Sequence, residues 1–134
     1  MSCGSIEQNL ATVDAHIRDE AADPAEVMHL YGDGIVLDMP TRNLRLSTLE
    51  AIEANYRNMF GAIELISMEP VERFATQDRV VDDMLVRFTI VKEGFTNAPY
   101  PVGSTVELRL LHVFHMKDAK IVHEKVFEGW KKIA

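Results

Sequence analysis

The hydrophobic period of this chain changes once, at Ile63, and that change restricts the possible folds more than any other feature. Before it, apolar residues recur at helical spacing: Ile6, Leu10, Val13 and Ile17 in a first segment, and Leu49, Ile52, Tyr56, Met59 and Phe60 in a later one. After it, β-branched and aromatic residues arrive in runs of strand length, over residues 63–75, 79–91, 105–116 and 120–128. Helices followed by a strand meander predict an α+β domain, with a largely antiparallel sheet and helices packed on one of its faces. The strand and helix alternation that a parallel α/β sheet needs is absent.

Local signals set the boundaries. Ser5 with Gln8 reads as a capping box for a helix over about 6–21. Asp23 and Pro24 supply an N-cap and a first-turn proline for a second, shorter helix. Val27, Met28 and Tyr31 would face inward there, and Gly32 and Gly34 would stop it. Residues 35–37 read as a short strand ending at Pro40, and Ser47 with Glu50 as the capping box of a third helix that Gly61 ends. The connections "ATQD" and "KDAK" are of hairpin length, whereas "KEGFTNAPYPVGS" is a long loop suited to covering a cavity mouth.

At 134 residues and 47% hydrophobic content, the chain reads as one domain over 1–134 with a core that needs no disulfide. Its 21 acidic against 14 basic residues, a net charge of -7, argue against nucleic acid and anionic membranes as partners. Cys3 is the only cysteine, which excludes an intramolecular disulfide and fits a reducing compartment. No apolar run approaches the roughly 20 residues of a membrane span and no signal-peptide pattern opens the sequence, so a soluble, cytoplasmic protein is expected.

If Asp118 and Ala119 are the turn of the last hairpin, Lys117 faces Lys120, His115 faces Val122, Val113 faces Glu124 and Arg109 faces Glu128. Glu124, Val126 and Glu128 then share a face with Arg109, Leu111, Val113 and His115. The opposite face carries Leu110, His112, Phe114, Met116, Ile121, His123 and Phe127. Both faces are rich in apolar groups, so a homodimer is expected, paired through the face that includes His112, Phe114 and Phe127.

The phrases "DRVVDDMLVRFTI", "APYPVGSTVEL" and "KIVHEKVFEGW" resemble, in order and spacing, the second half of SnoaL-like proteins of the nuclear transport factor two-like superfamily. "VDAHIRDEAADPAEVMHLYGDGIVLDMP" and "STLEAIEANYRNMF" resemble its opening helices and first strand. The resemblance implies a cone-shaped barrel of a curved, mainly antiparallel sheet with three N-terminal helices on its concave face. The superfamily includes ketosteroid isomerase, scytalone dehydratase, limonene epoxide hydrolase, polyketide cyclases and domains with binding roles only, so the fold does not decide the activity. Where many relatives have an aspartate after the final strand, this chain has Gly129. Alignment with limonene epoxide hydrolase puts Val126, Met84 and Val86 at that family's acidic and arginine positions, which argues against epoxide hydrolysis. The same alignment implies that Glu124 and Asp82 face the pocket, lined by Met84, Val86 and Phe88.

In the inferred register Glu124 and His115 are diagonal neighbours, a possible acid–base dyad; the alternative is a buried pair that only fixes the strands. His16 and Glu20, at i and i+4, share a helix face and can reach the pocket floor, or else form a solvated flank. Tyr56 can offer its hydroxyl to a substrate oxygen or be ordinary core. Of Asp82 and Asp83 only Asp82 can point inward, leaving Asp83 to pair with Arg87. The role of Asp38 stays open. His112 and His115 point to opposite faces and no H-E-x-x-H motif exists, so neither a metal nor another cofactor is expected. No phosphate-binding loop or Ser, His and Asp arrangement appears. The expected pocket, bounded by Val13, Tyr56, Met84, Phe88, Val113 and Val126, suits a small apolar molecule with one or two oxygen atoms. Two functions fit: a cofactor-independent lyase, isomerase or hydrolase using acid–base chemistry, or a non-catalytic ligand-binding or scaffold domain.

Overall fold

A computed structural model describes residues 5–134, and Cys3 lies outside them. The Ser5 hydroxyl accepts from the Gln8 amide at 3.0 Å and the Gln8 side chain accepts from the Ser5 amide at 2.9 Å, starting α1 (Ile6–Asp19) with a complete capping box. Asp23 caps a 3₁₀ helix, Pro24–Leu30, through the Ala25 amide. Gly32 and Gly34 do not stop this helix; they lie within β1 (Tyr31–Met39), into which the chain passes directly. The reason is close packing in the sheet: a Cβ on Gly32 would stand 3.0 Å from Val122 Cγ1, and Gly34 has φ +77°. A short turn, Pro40–Arg42, and a left-handed Asn43 lead to β2 (Leu44–Leu46), a strand too short to carry a period. Thr48, rather than Ser47, caps α2 (Leu49–Gly61), its hydroxyl accepting from the Ala51 amide at 3.1 Å.

Four long strands follow: β3 (Ile63–Ala75), β4 (Arg79–Ile90), β5 (Thr105–Lys117) and β6 (Lys120–Lys132). The sheet order is β2-β1-β6-β5-β4-β3, antiparallel throughout except for the parallel β1–β6 pair. Among the described residues both edges stay unpaired, so the expected barrel is an open, curved sheet with its helices on the concave face. Single extra residues at Ile66 and Val71 bulge β3 and bend that end of the sheet. Among the described residues no helix is long and apolar enough to cross a membrane.

The last hairpin turns on Asp118 and Ala119, both left-handed (φ 52° and 59°), as a two-residue loop of the primed kind requires. Met116 then pairs with Ile121, but Val122 is an extra residue, after which His115 pairs with His123 and Phe114 with Glu124. A shift of one residue exchanges the faces. Glu124, Val126 and Glu128 therefore share the concave face with Phe114, His112 and Leu110, and the expected pairings of Glu124 with Val113 and of Glu128 with Arg109 do not form. His115 and Val113 lie on the convex face, where the His115 ring meets His123 at 4.9 Å. Of the seven residues expected opposite Glu124, only His123 and Phe127 are on the convex side, and His112 and Phe114 face the concave side instead. Arg109 binds Asp83 through two contacts of 2.6 and 2.7 Å, while Arg87 reaches Glu69 and Glu107 instead of Asp83.

Candidate functional site

The position of α1 over the sheet is set by two polar tethers to hairpin ends. Asn9 Nδ2 donates to the carbonyls of Thr76 and Gln77 (3.2 and 2.9 Å), and Thr12 donates to the carbonyl of Ala119 at 2.7 Å. This brings the C-terminal turn of α1 down onto β1 and β6. His16, with no exposed surface, has Nε2 2.7 Å from the Tyr31 hydroxyl and 3.5 Å from Glu124 Oε1, and Nδ1 3.1 Å from Glu20 Oε2. The Tyr31 hydroxyl donates to Glu124 Oε1 at 2.9 Å, and the Tyr56 hydroxyl lies 3.0 Å from both Glu124 oxygens. Two carboxyls, two phenols and an imidazole thus meet at the closed end of the cone.

Burial pushes the His16 imidazole below its ordinary value of 6.5, against the opposing pull of Glu124. The Glu20 carboxyl is driven well above its ordinary 4.5, by burial first and then by the negative charges of Glu124 and Asp82. Burial and the charge of Glu124 likewise push both tyrosines well above 10, so they act as neutral donors. These shifts favour the protonated form of Glu20 and the uncharged form of His16, whose other nitrogen faces Tyr31 and Glu124.

Asp82 faces the concave side as expected but does not border the cavity. Burial raises its carboxyl, yet bonds from His112 and Arg73 outweigh this and hold it below its ordinary 3.8. Arg73 Nε stands 2.7 Å from Oδ1 and His112 Nδ1 stands 3.4 Å from Oδ2, so Asp82 bears on the cavity only through His112, which does line it.

The cavity has a volume of about 60 Å³, more than one water occupies. Its walls are apolar, with Met84, Val86, Phe88 and Val126 from the sheet and Phe60 from α2. Glu20, Tyr56, His112 and Glu124 border it at the closed end, and Arg42 and Glu128 farther along β6. The loop over residues 91–104 contributes Phe95 to the lining. Of the expected boundary, Val13 is buried in the core behind the cavity and Val113 is on the outer face. Sequence reasoning missed Tyr31, His112, Arg42 and Glu128. His112 follows once Val122 is counted as a bulge, and Glu128 already shared the face of Glu124, whereas Arg42 lies between helix and strand with no period to betray it. Among the described residues no three His, Cys, Asp or Glu side chains converge as a metal-ligand set.

The sequence profile of the SnoaL-like domain matches residues 11–124. The chain belongs to the SnoaL-like family. Among solved structures, this SnoaL-like chain resembles an epoxide hydrolase of M. tuberculosis similar to limonene epoxide hydrolase (TM-score 0.70, 14% identity, 92% of this chain and 84% of that one). It also resembles SalBIII, an epoxide hydrolase/cyclase-like enzyme of pyran ring formation in the polyether salinomycin (0.72, 16%, 92% of each chain). A nuclear transport factor two-like protein of Burkholderia thailandensis is similar over 94% of this chain and 92% of that one (0.71, 19%). These identities carry the fold and not the activity. No curated protein matches the SnoaL-like chain by sequence.

Proposed function

We propose that this protein is a cofactor-independent acid–base enzyme, a lyase, isomerase or hydrolase, acting on a small, largely apolar, oxygenated molecule. The observation that carries this reading is that Glu20 and Glu124 border one apolar cavity in unlike environments. Burial and the charge of Glu124 favour the protonated form of Glu20, while the oxygens of Glu124 face two phenol donors. Two carboxyls in unlike surroundings can serve one site as acid and base.

In this reading Glu124 takes a proton from the substrate and Glu20 returns one at a second position. Both carboxyls border the cavity, so once the product leaves, Glu124 gives the proton it took to water entering the cavity and Glu20 regains one from the same water, which restores the starting state. The names of the similar enzymes, which concern epoxide opening and ring formation, fit acid–base chemistry of this kind.

The test is an NMR screen of small cyclic ketones, enones and epoxides with the purified protein, with Glu124→Gln as control. One class should be converted, and the variant should be slower by about 10²- to 10⁴-fold, the usual share of general acid–base catalysis. If compounds bind but none is altered, the enzyme reading is wrong and the ligand-binding domain takes its place.

A further inference from the structure

Arg42 is a buried cation at the far end of the cavity from the phenols, and its hydrogen-bond donors are unevenly satisfied. Nε donates to both oxygens of Glu128 at 3.0 and 3.2 Å, Nη1 donates to the Thr96 carbonyl at 3.0 Å, and the Phe95 ring lies 4.7 Å from the guanidinium carbon. Among the described residues Nη2 meets only sulfur, Met39 Sδ at 2.7 Å and Met59 Sδ at 3.7 Å. Thioether sulfur is a weak acceptor, so the Nη2 hydrogens of a buried guanidinium have no strong partner. Arg42, Met39, Met59 and Glu128 all line the cavity that Tyr56 and Glu124 line. Glu124 and Glu128 are four residues apart on one face of β6, about 13 Å along the strand.

We infer that Nη2 of Arg42 is the docking point for a neutral oxygen, a ketone, ester or lactone carbonyl, at the distal end of the ligand. The ligand is then an elongated apolar molecule with one oxygen for the Tyr56 and Glu20 end and a second for Arg42. Its oxygen is neutral because Glu128 already balances the guanidinium, and a carboxylate would set a second buried negative charge beside Glu128. Met39 and Met59 swing aside readily, since thioether chains repack with little penalty. This inference rests on the reading of the cavity as a site for apolar oxygenated molecules.

The probes are 2-decalone, with one carbonyl, and trans-decalin-2,6-dione, with one at each end, titrated calorimetrically. The wild type should bind the dione about 10-fold more tightly than the monoketone, the worth of one hydrogen bond to a charged donor. Arg42→Met/Glu128→Leu, which removes both charges together, should bind the two equally. Arg42→Lys, which keeps a partner for Glu128 but lacks Nη2, should also lose the gain and serves if the double variant does not fold. Equal affinity for the two probes in the wild type, or a gain that survives in the Arg42 variants, overturns the inference and leaves the cavity reading intact. A wild type that binds neither probe overturns both.

Discussion

The hydroxyl of Tyr56 stands 3.0 Å from each carboxylate oxygen of Glu124, while Tyr31 donates to one of those oxygens at 2.9 Å. Phenols from a helix and from a parallel neighbouring strand thus hold one buried carboxylate. Tyr56→Phe and Tyr31→Phe should each cost about 1.5–3 kcal/mol, the range for hydrogen bonds to charged groups. The double variant should cost more than the sum by about 0.5 kcal/mol or more, because only then does Glu124 lose its last phenol. Urea denaturation of the four proteins measures the coupling; strict additivity would mean that the two hydroxyls act on Glu124 independently.

The titrating groups at this site predict opposite pH slopes. Glu20 has a folded value well above its ordinary 4.5, so its contribution is fully present below 4.5 and is lost as pH rises through the folded value. His16 has a folded value below 6.5, so its contribution is present above 6.5 and is lost as pH falls through the folded value. Glu20→Gln should therefore flatten the decline of the melting temperature on the alkaline side of 4.5 and exceed the wild type near neutral pH. In the wild type, the His16 ring resonances should not shift on passing through 6.5. A Glu20→Gln protein with an unchanged slope would show that Glu20 is ionised in the folded state.

Val122 is the extra residue that turns Glu124 toward the cavity. Deleting it leaves the two-residue turn and a regular ladder in which Met116 still pairs with Ile121, His115 with His123 and Phe114 with Glu124, so every side chain keeps its face. The deletion should therefore retain cooperative unfolding, read by circular dichroism and thermal melts, and lose chiefly the packing of Val122 on Gly32. Val122→Ala keeps the count and should be tolerated as well. Loss of cooperative unfolding on deletion would show that the bulge itself shapes the sheet.

The same residue explains why the fold was more legible than the site. Capping side chains and runs of β-branched residues are local signals, and they mark α1 and the starts of all four long strands. His16, Glu20 and Tyr56 turn inward by helical spacing alone, which no hairpin register can disturb. The partners of Glu124 depend on the register of β5 and β6, and Val122 looks like any other strand valine. What marks it is its contact with Gly32, distant in sequence. Pairing His115 with Glu124 was the consequence of counting it as regular. Arg42 was hidden for another reason: charged residues are ordinarily exposed, and only a buried carboxylate on another element makes its position possible.

The Arg42 and Glu128 side chains are 1% and 2% exposed, and this pair joins the turn after β1 to the end of β6. Arg42 also holds the loop over residues 91–104, donating to the Thr96 carbonyl and accepting from Asn97 Nδ2 at 2.8 Å through its own carbonyl. Two effects can therefore be separated. Arg42→Met alone strands Glu128 as a buried, uncompensated charge and should cost about 3–5 kcal/mol, although Trp130 Nε1 still donates to it. Arg42→Met/Glu128→Leu removes both charges and should recover most of that loss. The loop should behave differently, because both variants lose the Thr96 contact. Hydrogen exchange of amides in residues 91–104, including that of Ala98, should be faster in both than in the wild type. If stability recovers and loop protection returns with it, the loop is held by its own turns and by Phe95 stacking on Phe88, and Arg42 is not its anchor.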